Sequence, residues 1–162
     1  MVIVSDTTPI ITLLKINQLE LLRDLFGVIY IPDDVYNELI IDDRFENEVK
    51  KIKESNYIIV KHINKDSVEN IMKETTLDRG ESAAICLYET QTEAAVLLID
   101  EKKGRKIARN RNIKIIGTVG LLALSYKKGI KTKTEIINIV NIIKEKRKCY
   151  SSEILEDLLS II

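Results

Sequence analysis

The strongest constraint on the fold is the regular alternation of short apolar runs with longer helical stretches. Five runs rich in Val, Ile and Leu have the length of strands, at residues 2–4, 28–31, 57–61, 95–99 and 113–116. A chain that alternates strands and helices in this way favours a parallel sheet covered by helices on both faces. We therefore predict a three-layer α/β/α fold around a five-stranded parallel sheet.

The helical stretches between these runs have recognisable starts and ends. They cover residues 9–26 with a break near Asn17, 33–54, 67–74, 81–90, 102–110, 119–128, 134–146 and 153–160. Thr8 and Pro9 are expected to start the first helix, with a hydroxyl cap before a proline at the first helical position. We expect Pro32 to open the helix over 33–54, and Gly129 to end the one over 119–128.

Composition narrows the class of protein. The 162 residues are 45% hydrophobic and 31% charged, which is ordinary for a globular protein, so we expect a single domain over residues 1–162. No apolar run reaches the roughly 20 residues of a membrane span, and the chain does not begin with a signal-peptide pattern. We expect a cytoplasmic protein that does not contact a membrane. One histidine and two cysteines without zinc-site spacing argue against Cys/His metal chemistry.

Charge is distributed unevenly, although the formal net charge is zero. Residues 1–100 carry 10 basic and 19 acidic side chains, whereas residues 101–148 carry 15 basic and 3 acidic ones. Such an arrangement suits an acidic site for cations beside a basic face for a polyanion. The alternative is a surface on which both signs are evenly mixed after folding.

Two acids stand where predicted strands end. Asp6 follows the first apolar run, and Asp100 follows the fourth. Parallel α/β sheets carry their chemistry at the carboxyl ends of the strands. If the first and fourth strands are neighbours, the two residues lie about 5 Å apart by strand spacing. Two like charges at that distance repel, so we expect a positive charge between them.

Two further acids are expected to face the same region. Glu38 shares a helical stripe with Val35 and Leu39, and Glu81 shares one with Ala84. Both stripes are apolar, so both acids should point inward. Four carboxylates from distant segments would form an oxygen-ligand site suited to Mg²⁺ or Mn²⁺.

Each acid also has a purely structural interpretation. Asp6 could form an Asx-type turn at the start of the first helix, and Asp100 could cap the helix that follows it. Glu38 could pair with a lysine at the rim. Asp78 and Glu81 fit a capping box, in which each side chain bonds the backbone amide of the other residue. We favour a shared site because it explains all four acids at once.

Several short motifs follow one another in a characteristic order. They are Asp6-Thr7-Thr8-Pro9, Ile31-Pro32 before the Glu38 helix, Asp78-Arg79-Gly80-Glu81, Leu98-Ile99-Asp100, Gly104-Arg105 and Ile116-Gly117-Thr118-Val119-Gly120-Leu121. Over residues 1–130 this series resembles the PIN-domain family, in particular a prokaryotic branch of small members related to the toxins of toxin–antitoxin pairs.

The resemblance implies a sheet of order 3-2-1-4-5 and metal-dependent cleavage of RNA. By position, the catalytic and metal-binding acids would be Asp6, Glu38, Glu81 and Asp100. Thr7 or Thr118 would be the polar helpers. The resemblance thus implies Mg²⁺ or Mn²⁺ as the cofactor and RNA as the partner.

A basic segment follows Asp100 and is the expected contact for RNA phosphates. Its cations are Lys102, Lys103, Arg105, Lys106, Arg109 and Arg111. We predict that the first three of them, Lys102, Lys103 and Arg105, bind substrate phosphates. The alternative is a helix that is merely solvated and rich in lysine.

Two functions remain open. The first is a Mg²⁺- or Mn²⁺-dependent endoribonuclease of PIN type, in one version the toxin of a toxin–antitoxin pair. The second is a non-catalytic module of the same fold that binds nucleic acid or protein. The four acids favour the first. A small antitoxin-like protein and a second copy in a homodimer are the expected protein partners.

Overall fold

A parallel sheet of five strands forms the centre of the structure, a computed structural model that describes residues 2–41, 46–146 and 150–162. The strands are β1 (Val2–Ser5), β2 (Val28–Pro32), β3 (Ile58–Lys61), β4 (Ala94–Leu98) and β5 (Ile115–Ile116). Neighbouring strands all run parallel, in the order β3-β2-β1-β4-β5. This confirms the predicted fold and strand order, and it makes β1 and β4 neighbours.

Helices connect the strands and cover both faces of the sheet. Within the described residues they are α1 (Thr7–Lys15), α2 (Glu20–Phe26), α3 (Asp33–Ile40), α4 (Glu46–Glu54), α5 (Lys65–Glu74), α6 (Arg79–Thr90), α7 (Lys102–Asn110), α8 (Thr118–Lys127), α9 (Lys133–Glu145) and α10 (Ser152–Ser160). The break near Asn17 is found, where a φ of 54° interrupts the helical path. The prediction of one helix over 33–54 is wrong. The stretch contains both α3 and α4, and residues 42–45 between them lie outside the described part.

Helix α1 begins two residues earlier than the sequence suggested. Asp6 takes the N-cap position with extended backbone angles, and Thr7 is the first helical residue. Pro9 therefore stands third in the helix. Its missing N–H costs nothing there, because the first four amides of a helix have no partner within it. At the other predicted boundaries, Pro32 precedes α3 and Gly129 follows α8 with a φ of 70°.

Alternate side chains of the strands pack into two separate apolar cores. Ile3 and Ile29 belong to the core under α1, α2 and α8 to α10, whereas Val4 and Leu97 belong to the core under α5, α6 and α7. Burial of each such side chain stabilises the fold by roughly 1.5–3 kcal/mol. Helix α10 covers the first core with Leu155 and Leu158. Within the described ranges, every helix is too short or too polar to cross a membrane.

The carboxyl ends of the central strands bring distant segments to one edge of the sheet. Ser5 of β1 is in register with Leu98 of β4, and the backbone N–H of Asp6 donates to the carbonyl of Leu98 at 3.0 Å. The β1–β4 ladder thus extends by one residue beyond β1. The peptide that carries the Asp6 side chain is thereby fixed at this edge, and Asp100 follows two residues after Leu98.

Candidate active site

Asp6 is a buried acid at the N-cap position of α1. The residue is 3% exposed and its side chain makes no N-cap hydrogen bond, so a role in starting this helix does not by itself account for the acid. Burial raises the pKa of Asp6 to about 7, and the Thr7 amide opposes that rise. Repulsion from Glu81, Asp78 and Glu38 contributes to this raised pKa.

Glu38 is held at the same edge by a threonine. The Thr7 hydroxyl donates to Glu38 Oε2 at 2.6 Å, which places the predicted helper against a predicted ligand. The inward orientation predicted for Glu38 is found only for its carboxylate, which lies against Thr7 and Gly80. Val35 and Leu39 of its stripe are buried, but Glu38 as a whole is exposed. Its partial burial still raises its pKa, with Thr7 opposing.

Glu81 forms the capping box that was its structural alternative. Asp78 Oδ1 accepts from the Glu81 amide at 2.8 Å, and Glu81 Oε2 accepts from the Asp78 amide at 3.2 Å. Glu81 is 6% exposed, and burial raises its pKa. Only Oε2 is used by the cap. The other oxygen faces Gly104, where an added Cβ would lie 2.7 Å from it.

Asp78 also belongs to this group, although its sequence pattern predicts only a helix cap. Its charge raises the pKa of Asp6, of Glu38 and of Glu81. The signal for this was its place in the Asp78-Arg79-Gly80-Glu81 motif beside an acid already selected. We call Asp6, Glu38, Asp78 and Glu81 the acid cluster.

Asp100 forms its side-chain hydrogen bonds with residues outside the acid cluster. Its Oδ1 accepts from the Thr118 amide, and its Oδ2 accepts from the Thr118 hydroxyl and the Tyr150 hydroxyl, all at 2.7 Å. Asp100 therefore binds the start of α8. The alternative that it caps α7 is wrong, because Glu101 is at that N-cap. Thr118 contacts the acid that it was predicted to help, whereas no sequence pattern pointed to Tyr150, which is 50 residues away.

The predicted convergence of all four acids on one point is only partly found. Glu38 and Glu81 contribute to the raised pKa of Asp6, but Asp100 is not among its causes. Among the described residues, no group of three or more acids, histidines or cysteines is arranged to hold a metal ion as placed. The hydroxyl and amide bonds explain this, because they hold Glu38, Glu81 and Asp100 each against its own neighbour.

The residue types nevertheless fit a divalent cation. Every side chain of the acid cluster offers carboxylate oxygens, the ligands that Mg²⁺ and Mn²⁺ prefer. Glycines leave room beside these oxygens. An added Cβ would approach the nearest carboxylate oxygen to 2.7 Å at Gly80 (Glu38), 2.7 Å at Gly104 (Glu81) and 3.0 Å at Gly117 (Asp100). Larger residues at these positions would displace the acids.

The basic segment divides into side chains with different surroundings. Lys102 and Arg105 line a cavity of about 880 Å³ that also borders Asp100. Lys103 donates instead to the carbonyl of Thr76. Arg111 forms ion pairs with Glu89 and Glu74, which explains it as a link between helices. Of the three cations predicted to bind phosphates, two therefore lie together and Lys103 is engaged elsewhere.

Comparison with known proteins identifies the family. The model of a PIN domain matches residues 2–162 of the chain. Neither the curated proteins nor the solved structures include a match. The family match covers the whole sheet, the acid cluster and Asp100. The chain therefore belongs to the PIN-domain family, whose members are generally nucleases that use divalent metal ions.

Proposed function

We propose that the chain is an endoribonuclease of PIN type that cleaves RNA phosphodiester bonds with Mg²⁺ or Mn²⁺. The observation that carries this proposal is the state of Asp6. It is 3% exposed, burial and three neighbouring acids raise its pKa to about 7, and no lysine or arginine of the described chain forms an ion pair with it. The Thr7 amide favours the charged form of Asp6 but does not outweigh these effects.

A cation would remove the conflict at Asp6. Buried carboxylates are tolerated when they are paired, hydrogen-bonded or bound to a metal ion. The acid cluster has hydrogen bonds for Glu38 and Glu81 but a surplus of negative charge around Asp6. A divalent ion in contact with Asp6 would lower its pKa and offset the repulsion.

Each residue of the site has a role in this proposal. Asp6, Glu38 and Glu81 would hold the ion, and Asp100 would complete the acidic edge. Thr7 orients Glu38, and the cap formed with Asp78 fixes the Glu81 side chain. When bound, the ion supplies the positive charge that polarises a phosphodiester and activates water.

Cations beside the acidic edge would hold the RNA backbone. Lys102 and Arg105 line the cavity that borders Asp100. RNA affinity should therefore fall with salt, with a slope of about −0.7 for each phosphate neutralised on a single strand. Substitution of both cations by Gln should flatten the slope. An unchanged slope would remove the two residues from the RNA interface.

The proposal is tested by incubating purified protein with structured RNA in Mn²⁺ and in chelator. Wild type should cleave only with the metal. Asp6→Asn should not cleave, whereas Asp157→Asn, a charge removal at an exposed position of α10, should cleave like wild type. RNA binding without cleavage in any condition would instead favour the non-catalytic module. Cleavage in chelator would contradict the metal dependence.

The toxin role, a small antitoxin-like partner, a homodimer and a cytoplasmic location stay predictions from the resemblance. A growth arrest on expression that depends on Asp6 would support the toxin role. Sedimentation of the purified protein would test the homodimer. Neither outcome bears on whether the chain cleaves RNA.

A further inference from the structure

The cavity beside Asp100 is a separate site from the acid cluster. It has a volume of about 880 Å³, and its lining comes from α1, β5, α7 and α8, from residues 100, 101 and 117, and from residues 150 and 154. None of the four members of the acid cluster lines it. It nevertheless adjoins them through the sheet, since Asp100 follows β4 and Asp6 follows the neighbouring β1.

One wall of this cavity is basic because of the helical phase of α7. Lys102, Arg105 and Arg109 are spaced by three and four residues, so they lie on one face, and all three line the cavity. Lys103 and Lys106 do not line it. Within the described ranges, the side chains of the three lining cations form no ion pair or hydrogen bond. Three cations against the two lining acids, Asp100 and Glu101, leave the cavity with a net positive charge, which attracts a phosphate.

Another part of the lining is apolar, which a site for a bare phosphate would not need. Ile115, Ile116 and Val119 contribute to it, together with Ile154 and the ring of Tyr150. Ile154 is 46% exposed, although Leu155 and Leu158 of the same helix are buried. The cavity thus pairs an anion-binding wall with an apolar one.

We propose that this cavity binds one nucleotide of the RNA substrate. The phosphate lies on Lys102, Arg105 and Arg109, and the base packs against the isoleucines and Tyr150. The volume is in the range of about 300–1,000 Å³ typical of small-ligand sites, so one nucleotide fits. The inference rests on the proposed function, which makes the ligand RNA. It adds that the chain recognises a base next to the acidic edge.

The experiment is calorimetric titration of the whole chain in chelator, where cleavage plays no part. The probes are uridine 5′-monophosphate, ribose 5-phosphate and inorganic phosphate. We expect the nucleotide to bind most tightly. Arg109→Gln should weaken nucleotide binding by about tenfold, as for the loss of a charge-assisted hydrogen bond. Lys106→Gln removes one cation from the same helix outside the cavity. It should change nucleotide affinity by less than about twofold.

The apolar wall is tested with Ile154→Ala, which removes an already exposed side chain and should not perturb folding. It should weaken the binding of uridine 5′-monophosphate by about fourfold, the scale of one buried methylene group, and leave the binding of inorganic phosphate unchanged. Equal affinity for all three probes, or equal effects of Arg109→Gln and Lys106→Gln, would overturn the proposal. Metal-dependent cleavage with no nucleotide binding would overturn this inference alone. Nucleotide binding without cleavage would overturn the proposed function alone.

Discussion

Two capping boxes in this molecule have the same local design and opposite surroundings. At the start of α6, Asp78 and Glu81 exchange bonds with each other's backbone amides, and at the start of α9, Thr132 and Glu135 do the same. Glu135 is exposed, and its bond from the Thr132 amide lowers its pKa. Glu81 is buried, and burial raises its pKa.

The surroundings of the carboxylate oxygen that the cap does not use account for the difference in pKa between the two glutamates. Glu135 Oε1 lies 3.4 Å from the Lys131 ammonium, so its charge is compensated. Glu81 Oε1 faces Gly104, and Asp78 and Glu101 raise its pKa while Lys103 opposes them. A capping box therefore does not exclude a functional acid. Its surroundings decide whether the second oxygen is available to a ligand.

The largest expected effect is on RNA cleavage, and it distinguishes the two capping boxes. Glu81→Gln keeps an oxygen for the Asp78 amide and removes the charge. It should reduce Mn²⁺-dependent RNA cleavage at least about a hundredfold, since loss of a second-shell partner alone costs about 10–100-fold. Glu135→Gln makes the matched change in α9 and should stay within about twofold of wild type. Cleavage rates under single-turnover conditions measure both. Equal losses would remove Glu81 from the site.

A smaller effect on cleavage is expected from substitutions at the second residue of the helix that each capping box starts. An added Cβ at Gly80 would lie 2.7 Å from Glu38 Oε1, so Gly80→Ala should displace that carboxylate and reduce cleavage by about tenfold. The same change should hold or raise stability, because Ala is favoured over Gly in a helix by about 1 kcal/mol. Thr134→Ala is the matched change in the α9 box and should leave cleavage unaffected. A Gly80→Ala protein that cleaves like wild type would contradict the role of Glu38.

The smallest effects are in the pH dependence of stability and have opposite signs. The raised pKa of Glu81 means that wild type loses stability as pH rises through that pKa. Glu81→Gln should therefore be the more stable protein at about pH 8 and equal to wild type near pH 3. The lowered pKa of Glu135 stabilises the fold above the ordinary Glu range, so Glu135→Gln should be the less stable protein at about pH 8. Urea unfolding in chelator at both pH values measures the two differences. Effects of the same sign would contradict the assigned environments.

The sequence predicted the fold well because the fold follows from periodic patterns. Apolar runs of strand length alternate with helical stretches, and that order alone indicates the parallel sheet. Asp6 and Asp100 were found from their place after strands. The exposure of Glu38 could not be predicted, because a stripe gives the face of a helix but not how deeply a long side chain is buried near its end.

Contacts between distant side chains could not be predicted in the same way. Tyr150 reaches Asp100 across 50 residues, and no periodic pattern marks such a pair. Arg109 belongs to the predicted basic segment but not to the three cations chosen for phosphate binding, which are those nearest to Asp100 in the sequence. Helical phase would have selected Lys102, Arg105 and Arg109, so that signal was present in the sequence.

The central claim is that Asp6 is buried for a cation, and thermal melts of wild type and Asp6→Asn at about pH 8 test it most directly. In chelator, Asp6→Asn should be as stable as wild type or more stable by up to about 3 kcal/mol, since it removes a repelled charge. At a hundredfold excess of Mn²⁺ over its Kd, wild type should gain about 2.7 kcal/mol and Asp6→Asn much less. A mutant that is less stable in chelator, together with a wild type that does not respond to Mn²⁺, would contradict the account.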